Sequence, residues 1–403
     1  MIRATRKIEG LKILLAASTI LILIHIYTEV KHRIYIDTNV YENSNGKWRN
    51  LTQEQIQNLS NLGRMLFLGE RPPPSKSWLA SYKILWWRFE PDLALRHNRN
   101  PSNLLKGCSV QNCKMSFKDN ELETADLVVF YLHRTQTIKQ IPNRTAKRSQ
   151  IWAFLTDESP YNTFSYKTDN HIQSYNNIFN WSMNYRMTSD IPVPYGRAIA
   201  LNKNAAKINI VEWNNSKRQD VLVAIAVSHC TEKRLEYVKE LNNYIRVDMY
   251  GSCGTLKCSG HYYTDCTNTS AYKFYLAFEN SNCEEYITEK VWWYGYHKNS
   301  IPIIMGSTKL NMQQILPPKS YIAVNDFASP KDLAKYLLHL NNSLSELESF
   351  FEWKRYFNIY NEHGFTSAPS VYYCRMCEAL NYNSKQIKIY SNIEDFIGVH
   401  LCS

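Results

Sequence analysis

Short apolar runs separated by polar segments recur along most of the chain. In the first half they cover residues 81–89, 125–131 and 150–155, and in the second half 220–227, 246–250, 273–278 and 300–305. Continuous apolar runs of this length are typical of strands buried on both faces of a parallel sheet. The pattern therefore predicts a series of buried parallel strands. We also expect residues 65–68 to open a first strand.

Helix-forming segments lie between the later runs, at residues 232–244, 284–298 and 330–340. Strands that alternate with helices build parallel sheets covered by helices. The alternation restarts after an irregular stretch at residues 202–215. We therefore expect two α/β domains facing each other across a cleft, with ligands bound beyond the carboxyl ends of the strands.

The N-terminal region predicts a membrane anchor. Residues 11–27 form a nearly continuous apolar segment, at the short limit for a spanning helix. Basic residues are concentrated before or at its start, with fewer after it: Arg3, Arg6, Lys7 and Lys12 against Lys31 and Arg33. This bias places residues 1–10 in the cytoplasm and the body in a lumen. We favour an uncleaved anchor over a cleaved signal peptide. Residues 28–62, polar and rich in asparagine, are predicted to form a stem.

Composition supports a lumenal body. All ten cysteines follow residue 107, which fits an oxidising compartment. Seven Asn-x-Ser/Thr sequons are candidate glycosylation sites: Asn50, Asn58, Asn143, Asn180, Asn214, Asn268 and Asn341. The net charge of +11 favours an anionic partner. Because nucleic acid is an unlikely partner in a lumen, a nucleotide sugar with its pyrophosphate is the natural candidate.

One segment combines a strand end with a helix start. The apolar run ends at Glu279-Asn280, and the helix is expected to begin about four residues later, near Glu284. A helix N-terminus offers free N–H groups and a positive dipole end to a pyrophosphate. The segment is therefore a candidate phosphate site, with a solvated surface helix as the alternative.

Three side chains of this segment could share a ligand. Tyr286, Glu289 and Lys290 are spaced i, i+3 and i+4, which puts them on one face of a helix. Lys290 could pair with phosphate, Glu289 could accept hydrogen bonds from sugar hydroxyls, and Tyr286 could stack or donate a hydrogen bond.

The same stretch resembles the signature of the α1,3/α1,4-fucosyltransferases. In that family a Phe-x-Leu-x-Phe-Glu-Asn-Ser strand precedes Asp-Tyr-x-Thr-Glu-Lys and, after a helix, Val-Pro-Val-Val-x-Gly. The corresponding positions here are Phe274–Ser281, Glu285–Lys290 and Ile301–Gly306. Two further family blocks are similar to residues 180–196 and 321–334. Three shorter features also resemble the family pattern: Glu158-Ser159-Pro160, Arg234 and the Cys374–Cys377 pair. The resemblance extends over roughly residues 65–380.

The resemblance implies a fold and an activity. Family members have two Rossmann-like α/β domains of the GT-B type and use GDP-fucose with inversion. It implies an acceptor-side domain at residues 63–212, a GDP-fucose-binding domain at 213–370, and a tail at 371–403 that packs back on the first domain. The expected enzyme is a type II Golgi membrane protein that transfers L-fucose from GDP-β-L-fucose to a GlcNAc-containing glycan in α1,3 linkage. Alternatives are an inactive lumenal glycan-binding or regulatory relative, and an enzyme with another nucleotide-sugar donor.

The resemblance also implies residue roles. Glu158, at the carboxyl end of a buried run, matches the family's base, which takes the acceptor proton. Its neighbour Asp157 is the local alternative. Lys290 and Arg234 match the residues that contact phosphate, while Asn280, Tyr286 and Glu289 are expected to contact the nucleotide or fucose. No Asp-x-Asp motif occurs in the chain, so no metal or other cofactor is expected to be required, although stimulation by a divalent cation such as manganese is left open.

The cysteines allow two interpretations. Cys374 and Cys377 could bind zinc only together with a second pair, such as Cys108 and Cys113. In a lumen disulfides are favoured, and the resemblance implies that these N-terminal and C-terminal pairs are bridged. The partners of the other cysteines stay open, and Cys402 is the candidate free thiol.

The chain departs from the family pattern at His229, Tyr294, Asn299 and Met312. Asn299 replaces a glycine at a helix end, where both residues enter left-handed geometry. Tyr294 replaces an asparagine and is the largest change. None of the proposed catalytic groups is lost, so an active enzyme is favoured.

Overall fold

The computed structural model describes residues 46–71, 81–97, 103–135, 137–144, 149–164, 171–230, 232–258, 264–365, 368–384 and 388–402. The predicted cytoplasmic tail, residues 1–10, and the predicted anchor, residues 11–27, lie outside the described residues. None of the described helices is long and apolar enough to cross a bilayer.

Thirteen strands are present in the described residues: β1 Tyr82–Trp86, β2 Cys113–Ser116, β3 Leu127–Tyr131, β4 Ile151–Thr156, β5 Trp181–Asn184, β6 Ile191–Pro192, β7 Gly196–Ala200, β8 Val223–Ala226, β9 Val247–Tyr250, β10 Phe274–Phe278, β11 Ile301–Met305, β12 Ile322–Ala323 and β13 Phe357–Asn361. Each of the seven apolar runs identified in the sequence coincides with one of them, and β4 extends one residue past its run. The β3, β4 and β10 side chains are buried along the whole strand, as expected for central parallel strands.

The strands form two parallel sheets and one antiparallel ribbon. The N-terminal sheet has the order β2-β1-β3-β4-β5-β6, and the C-terminal sheet has the order β12-β11-β10-β8-β9. Every neighbouring pair in both sheets is parallel. Strands β7 and β13 pair antiparallel. The predicted α/β class with two parallel sheets is therefore confirmed.

Helices surround the sheets. The α-helices are Gln53–Gln57, Asn61–Leu68, Pro91–His97, Pro160–Thr163, Ile210–Ser216, Glu232–Asn242, Lys309–Ile315, Pro330–Asn341, Leu344–Ser349, Tyr372–Tyr382 and Glu394–Ile397. A π-helix spans Lys290–His297. Short 3-10 helices are Gly46–Arg49, Asp119–Thr124, Leu132–Arg134, Ile138–Gln140, Ile172–Tyr175, Thr267–Ala271, Val324–Asp326, Glu352–Arg355 and Val399–Leu401.

The prediction of a strand at residues 65–68 is wrong, because these residues end the helix Asn61–Leu68. The Ser60 hydroxyl accepts a hydrogen bond from the Gly63 N–H and caps the helix start, and Gly69 ends it with a φ of 69°. Serine and glycine at these positions are helix start and stop signals that outweigh a four-residue apolar run.

The predicted stem, residues 28–62, is too long. Its described part, residues 46–62, packs on the body of the protein. The Arg49 side chain is buried and donates hydrogen bonds to the carbonyl oxygens of Gln314 (2.7 Å) and Ala198 (3.0 Å). A polar composition alone did not reveal this docking, because the partners of Arg49 are distant in sequence.

The helix predicted at residues 284–298 is also shorter than expected, since it begins at Lys290. Glu285 has a φ of 57° in the loop before it, a left-handed conformation that a helix cannot contain. Tyr286 therefore does not lie on the same helix face as Glu289 and Lys290, and the predicted i, i+3, i+4 arrangement is wrong.

The C-terminal part of the chain returns to the N-terminal sheet. The return begins at β13, which pairs with β7. The helix Tyr372–Tyr382 then packs on β1, β6 and the helix Asn61–Leu68. Gly196, the first residue of β7, allows this strand to pack closely against the π-helix, because a Cβ at this position would lie 2.5 Å from the Trp292 ring.

Five disulfides use all ten cysteines. Cys108–Cys374 and Cys113–Cys377 have the pairing that the resemblance implied. The others are Cys230–Cys253, Cys258–Cys266 and Cys283–Cys402. The expectation of a free thiol at Cys402 is wrong, because the fold brings the C-terminus to the loop that carries Cys283.

The sequons differ in accessibility. Asn50, Asn58, Asn143 and Asn268 are exposed, and Asn214 and Asn341 are partly exposed. Asn180 is buried, and its side-chain oxygen accepts a hydrogen bond from the Trp152 backbone N–H at 3.0 Å. In the folded chain Asn180 is therefore a structural residue, which contradicts its selection as a glycosylation candidate.

Candidate active site

The two sheets meet at a cleft where Glu158 is the central acidic group. Glu158 follows β4, and its carboxylate accepts a hydrogen bond from the Tyr286 hydroxyl at 3.0 Å. Asn280, which follows β10, approaches the same oxygen with its side-chain nitrogen at 3.5 Å. Ser159 donates a hydrogen bond to the Ser281 hydroxyl at 2.8 Å. The carboxyl ends of a strand from each sheet therefore converge on Glu158, as the alternating pattern predicted.

Asp157 has a different environment from its neighbour. Its side chain is 1% exposed and pairs with Arg96 at 2.7 Å. The hydroxyls of Tyr131 (2.6 Å) and Tyr372 (3.2 Å) donate to it, and His363 lies 3.2 Å away. All of these partners are fixed in the interior, so Asp157 is a structural carboxylate beneath the cleft.

The charges in this buried group are well defined. Burial alone would raise the pKa of Asp157, but Arg96 and His363 hold it well below its usual range. Burial and the nearby Arg96 lower the pKa of His363 to about 4, so its ring is neutral at pH 7. The ring also stacks on Tyr195 with 3.7 Å between centroids. An ionised Asp157 held this way is a poor acceptor for a substrate proton.

Lys290 lies at the start of the π-helix and is shared between carboxylates. Its ammonium is 3.0 Å from Glu279 and 3.3 Å from Glu289, and it donates to the Thr288 hydroxyl at 2.9 Å. Although burial opposes the charge, the two glutamates raise the pKa of Lys290 above its ordinary value. Lys290 is thus a fixed cation at the cleft.

The backbone N–H of Thr288, just before the helix, is already paired. The Glu279 carboxylate accepts hydrogen bonds from the Thr288 N–H at 2.8 Å and from the Thr288 hydroxyl at 2.8 Å. Burial raises the pKa of Glu279, and Lys290 offsets this only partly. Because the Thr288 N–H already donates to Glu279, it is not available to a bound anion. We therefore expect an anion to be attracted by the side-chain cations.

Arg234 is the second cation of the cleft. It is 3% exposed and donates to the carbonyl oxygens of Phe278, at 3.1 Å, and of His229. Among the described residues, its Nε has no hydrogen-bond partner and no carboxylate forms an ion pair with it. Burial lowers its pKa. A buried guanidinium that has no carboxylate within ion-pair distance among the described residues is suited to an incoming anion.

Asn280 offers another unsatisfied group. Its side-chain oxygen is buried and has no hydrogen-bond partner among the described residues. Buried polar atoms are nearly always paired, so such an atom beside Glu158 is consistent with a ligand contact.

The four departures from the family pattern have different surroundings. The Tyr294 ring stacks on Tyr275 of β10 with 5.2 Å between centroids, and it is buried. Asn299 has a φ of 54°, which confirms the left-handed geometry expected for it. Met312 is buried in the helix Lys309–Ile315, and His229 is exposed. Tyr294 therefore packs against the central strand β10 through Tyr275.

Sequence reasoning missed the buried group around Asp157. Arg96 and His363 are separated by 267 positions and carry no shared motif. It also missed Glu279 as the partner of Lys290, although Glu279 stood in the quoted motif. The signal available for Glu279 was its place at a strand end, next to Asn280.

No group of three or more His, Cys, Asp or Glu side chains in the described part of the chain is arranged to hold a metal ion.

Two family profiles match the chain. Residues 80–196 match "Fucosyltransferase, N-terminal", and residues 215–396 match "Glycosyltransferase family 10 (fucosyltransferase) C-term". Together they cover both sheets and the tail as far as residue 396.

Curated relatives agree with the profiles. The chain is 32% identical over 308 residues to glycoprotein 3-alpha-L-fucosyltransferase A of Drosophila melanogaster, covering 73% of this chain and 57% of that protein. It is 34% identical over 278 residues to a 3-galactosyl-N-acetylglucosaminide 4-alpha-L-fucosyltransferase of Bos taurus, covering 67% of this chain and 71% of the relative. The chain thus spans little more than half the length of the fly relative.

A solved structure is similar at lower identity. A crystal structure of an alpha1,3-fucosyltransferase with GDP-fucose aligns with a TM-score of 0.49 and 17% identity, covering 80% of this chain and 95% of that one.

Proposed function

Because the chain belongs to glycosyltransferase family 10, the fucosyltransferases, we propose that it transfers L-fucose from GDP-β-L-fucose to a GlcNAc-containing glycan in α1,3 linkage. One observation carries the proposal. A part-exposed carboxylate, Glu158, accepts a hydrogen bond from Tyr286, and the cations Arg234 and Lys290 both lie at the end of β10, where they contact Phe278 and Glu279.

The reaction is a single displacement with inversion. An acceptor hydroxyl oxygen forms a bond to C1 of fucose, while the bond between C1 and the GDP oxygen breaks. Glu158 takes the hydroxyl proton as general base. One negative charge develops on the leaving pyrophosphate, in addition to those that it already carries, and Arg234 and Lys290 stabilise it. The reaction as proposed requires no metal.

The surroundings of Glu158 support its assignment as the base. Tyr286 is the one close donor that its carboxylate has among the described residues, and the Asn162 and Asn280 amides are at 3.4 and 3.5 Å. Asp157 already accepts from buried partners on several sides. We therefore assign the base to Glu158 and not to Asp157.

In this proposal the donor binds on the side of the cleft formed by the C-terminal sheet. Arg234 and Lys290 contact the pyrophosphate, Asn280 and Glu289 contact nucleotide or fucose hydroxyls, and the Tyr286 ring forms the wall between donor and base. These contacts are supported by two buried atoms that have no hydrogen-bond partner in the described part of the chain, the Nε of Arg234 and the side-chain oxygen of Asn280.

The acceptor and the location are proposals as well. The names of the fly and bovine relatives specify glycoprotein and galactosyl-N-acetylglucosaminide acceptors, so the N-glycan core and Lewis-type antennae are both proposed for this chain. We propose the Golgi membrane as its location, with residues 11–27 as a type II anchor and exposed sequons such as Asn58 and Asn268 glycosylated in the lumen.

The test uses the purified full-length chain with GDP-fucose and an array of N-glycan core and antennary acceptors. We expect acceptor-dependent release of GDP, a product with fucose in α1,3 linkage, and loss of both in Glu158→Gln. GDP-fucose binding without release of GDP on any acceptor would instead identify an inactive glycan-binding relative. Turnover of another GDP- or UDP-sugar in preference to GDP-fucose would refute the donor assignment.

A further inference from the structure

The last described residues, 388–402, form a segment that we call the C-terminal strap. Its first part is fixed to the N-terminal sheet. The Tyr390 N–H donates to the Phe179 carbonyl at 2.9 Å, and the Tyr390 carbonyl accepts from the Asn177 N–H at 2.8 Å. Ile393 and Ile397 are buried in the core beneath β3 and β4. The strap is therefore an integral part of the N-terminal unit.

The end of the strap is attached to a loop of the C-terminal sheet. Cys402 forms a disulfide with Cys283, and the Glu284 N–H donates to the Leu401 carbonyl at 2.9 Å. Cys283 and Glu284 belong to the loop between β10 and the π-helix, residues 279–289. The strap thus joins the N-terminal sheet covalently to the loop that supplies Tyr286.

A second tether acts on the same loop. The Met187 N–H donates to the Glu285 carboxylate at 2.7 Å, and Arg186 lies 3.5 Å from Glu284 and 3.7 Å from Glu285. Arg186 also donates to the carbonyl of Phe396 in the strap at 2.7 Å. One arginine therefore contacts both the strap and the loop. These contacts hold Glu285 in a left-handed conformation that a non-glycine residue seldom adopts unaided.

Tyr286 is the next residue, and its hydroxyl donates to Glu158. We propose that the C-terminal strap is a positioning element for the base. Through the Cys283–Cys402 disulfide and the Arg186 contacts, it holds Tyr286 against the Glu158 carboxylate. The proposal rests on the proposed function, in which Glu158 is the base, and it makes Cys402 and Arg186 positioning residues.

A purely stabilising role is the alternative, because any long-range disulfide restricts the unfolded chain. The chain supplies a matched control. Cys113–Cys377 also closes a long loop, of 264 residues against 119 for Cys283–Cys402, but it ties the C-terminal helix to β2, away from the Tyr286 loop. Loss of thermal stability is expected from removing either bridge, so stability cannot distinguish the two roles.

The test compares Cys283→Ser/Cys402→Ser with Cys113→Ser/Cys377→Ser in the full chain, each also combined with Tyr286→Phe. Fucose transfer is measured well below the unfolding temperature of each variant. We expect the strap variant to lower kcat by about tenfold or more, since small displacements of catalytic groups have effects of this size. In the Tyr286→Phe background the same change should cost less than about twofold, because coupled residues are non-additive. The control should lower kcat by less than about twofold in both backgrounds.

An equal fold-reduction in kcat in both backgrounds would overturn the positioning role, and so would an unchanged kcat in the strap variant. A second readout does not require activity. Hydrogen exchange should increase in peptides covering residues 284–289 of the strap variant and not of the control, and unchanged exchange there would also overturn the proposal. If the wild type transferred no fucose, the proposed function would fail, while the exchange measurement would still decide whether the strap holds the loop.

Discussion

Asp157 and Glu158 are adjacent carboxylates for which the structure predicts opposite consequences of the same conservative change. Asp157→Asn keeps the shape of the side chain but removes the negative charge opposite Arg96, a pair at 2.7 Å with both partners buried. Leaving one member of a buried pair uncompensated costs about 3–5 kcal/mol. Glu158→Gln changes a part-exposed group whose closest partner is Tyr286, at 3.0 Å. Because the amide oxygen can still accept that bond, the expected cost is below about 1 kcal/mol.

The effects on transfer should be reversed. Loss of a general base lowers the rate by about 10²–10⁴-fold, so Glu158→Gln should fold normally and be nearly inactive. Asp157→Asn should keep a measurable kcat at low temperature, because Asp157 does not face the substrate. At about 2–4 °C per kcal/mol for a domain of 150–250 residues, its unfolding midpoint should fall by about 6–20 °C.

Thermal unfolding and acceptor-dependent GDP release, measured on the same preparations, check both statements. A wild-type unfolding midpoint for Asp157→Asn together with loss of transfer would assign the base to Asp157. Retention of full transfer by Glu158→Gln would refute the reasoning entirely. Asp157→Glu, which keeps the charge but lengthens the side chain, separates the effect of charge from that of fit.

Further predictions concern donor binding, acid stability and the sequence departures. Arg234→Met should raise the KM for GDP-fucose about tenfold or more, since charge-assisted hydrogen bonds contribute about 1.5–3 kcal/mol; an unchanged KM would remove Arg234 from the donor site. Lys290→Ala should weaken GDP-fucose binding in calorimetry, and unaffected binding would show that the pyrophosphate is placed wrongly. Because the pKa of His363 is lowered to about 4 in the folded state, the unfolded state takes up a proton first as pH falls, so the free energy of unfolding should decrease by up to about 1.4 kcal/mol per unit between pH 6.5 and 4.5. His363→Gln should flatten this slope in urea titrations at several pH values, and an unchanged slope would contradict the assignment. Tyr294→Asn should lower the unfolding midpoint by removing the stack on Tyr275, with little change in the KM for GDP-fucose, and a large KM change would show that Tyr294 shapes the donor pocket directly.

Part of the site could be predicted from the chain alone because it depends on local order. Glu158 and Asn280 each follow a buried apolar run, and parallel strands place their carboxyl ends at one edge of a sheet. The change from a buried apolar run to the polar residue that follows it can be recognised in a window of ten residues. The resemblance to a family then supplied Arg234, whose helix carries no local sign of a ligand.

Other features depended on contacts between distant residues. Because Glu285 has a left-handed conformation, the helix begins only at Lys290. The Thr288 N–H, which precedes this helix, donates to Glu279. The sequence of residues 279–290 alone does not indicate that this loop is held by the strap and Arg186, which pack with the N-terminal sheet. Local propensity favoured a longer helix, and the tertiary contacts overrode it.

The sequence by itself determined the parallel α/β class, seven of the strands and the acidic group that follows β4, because hydrophobic periodicity and strand polarity are local properties. Only the tertiary structure showed that the two adjacent carboxylates have different surroundings. Asp157 and Glu158 are equivalent as residue types in a turn, but Arg96, His363 and two tyrosines from distant parts of the chain enclose the first. The second is left facing Tyr286 across the cleft, because burial and charge pairing arise only when those segments pack together.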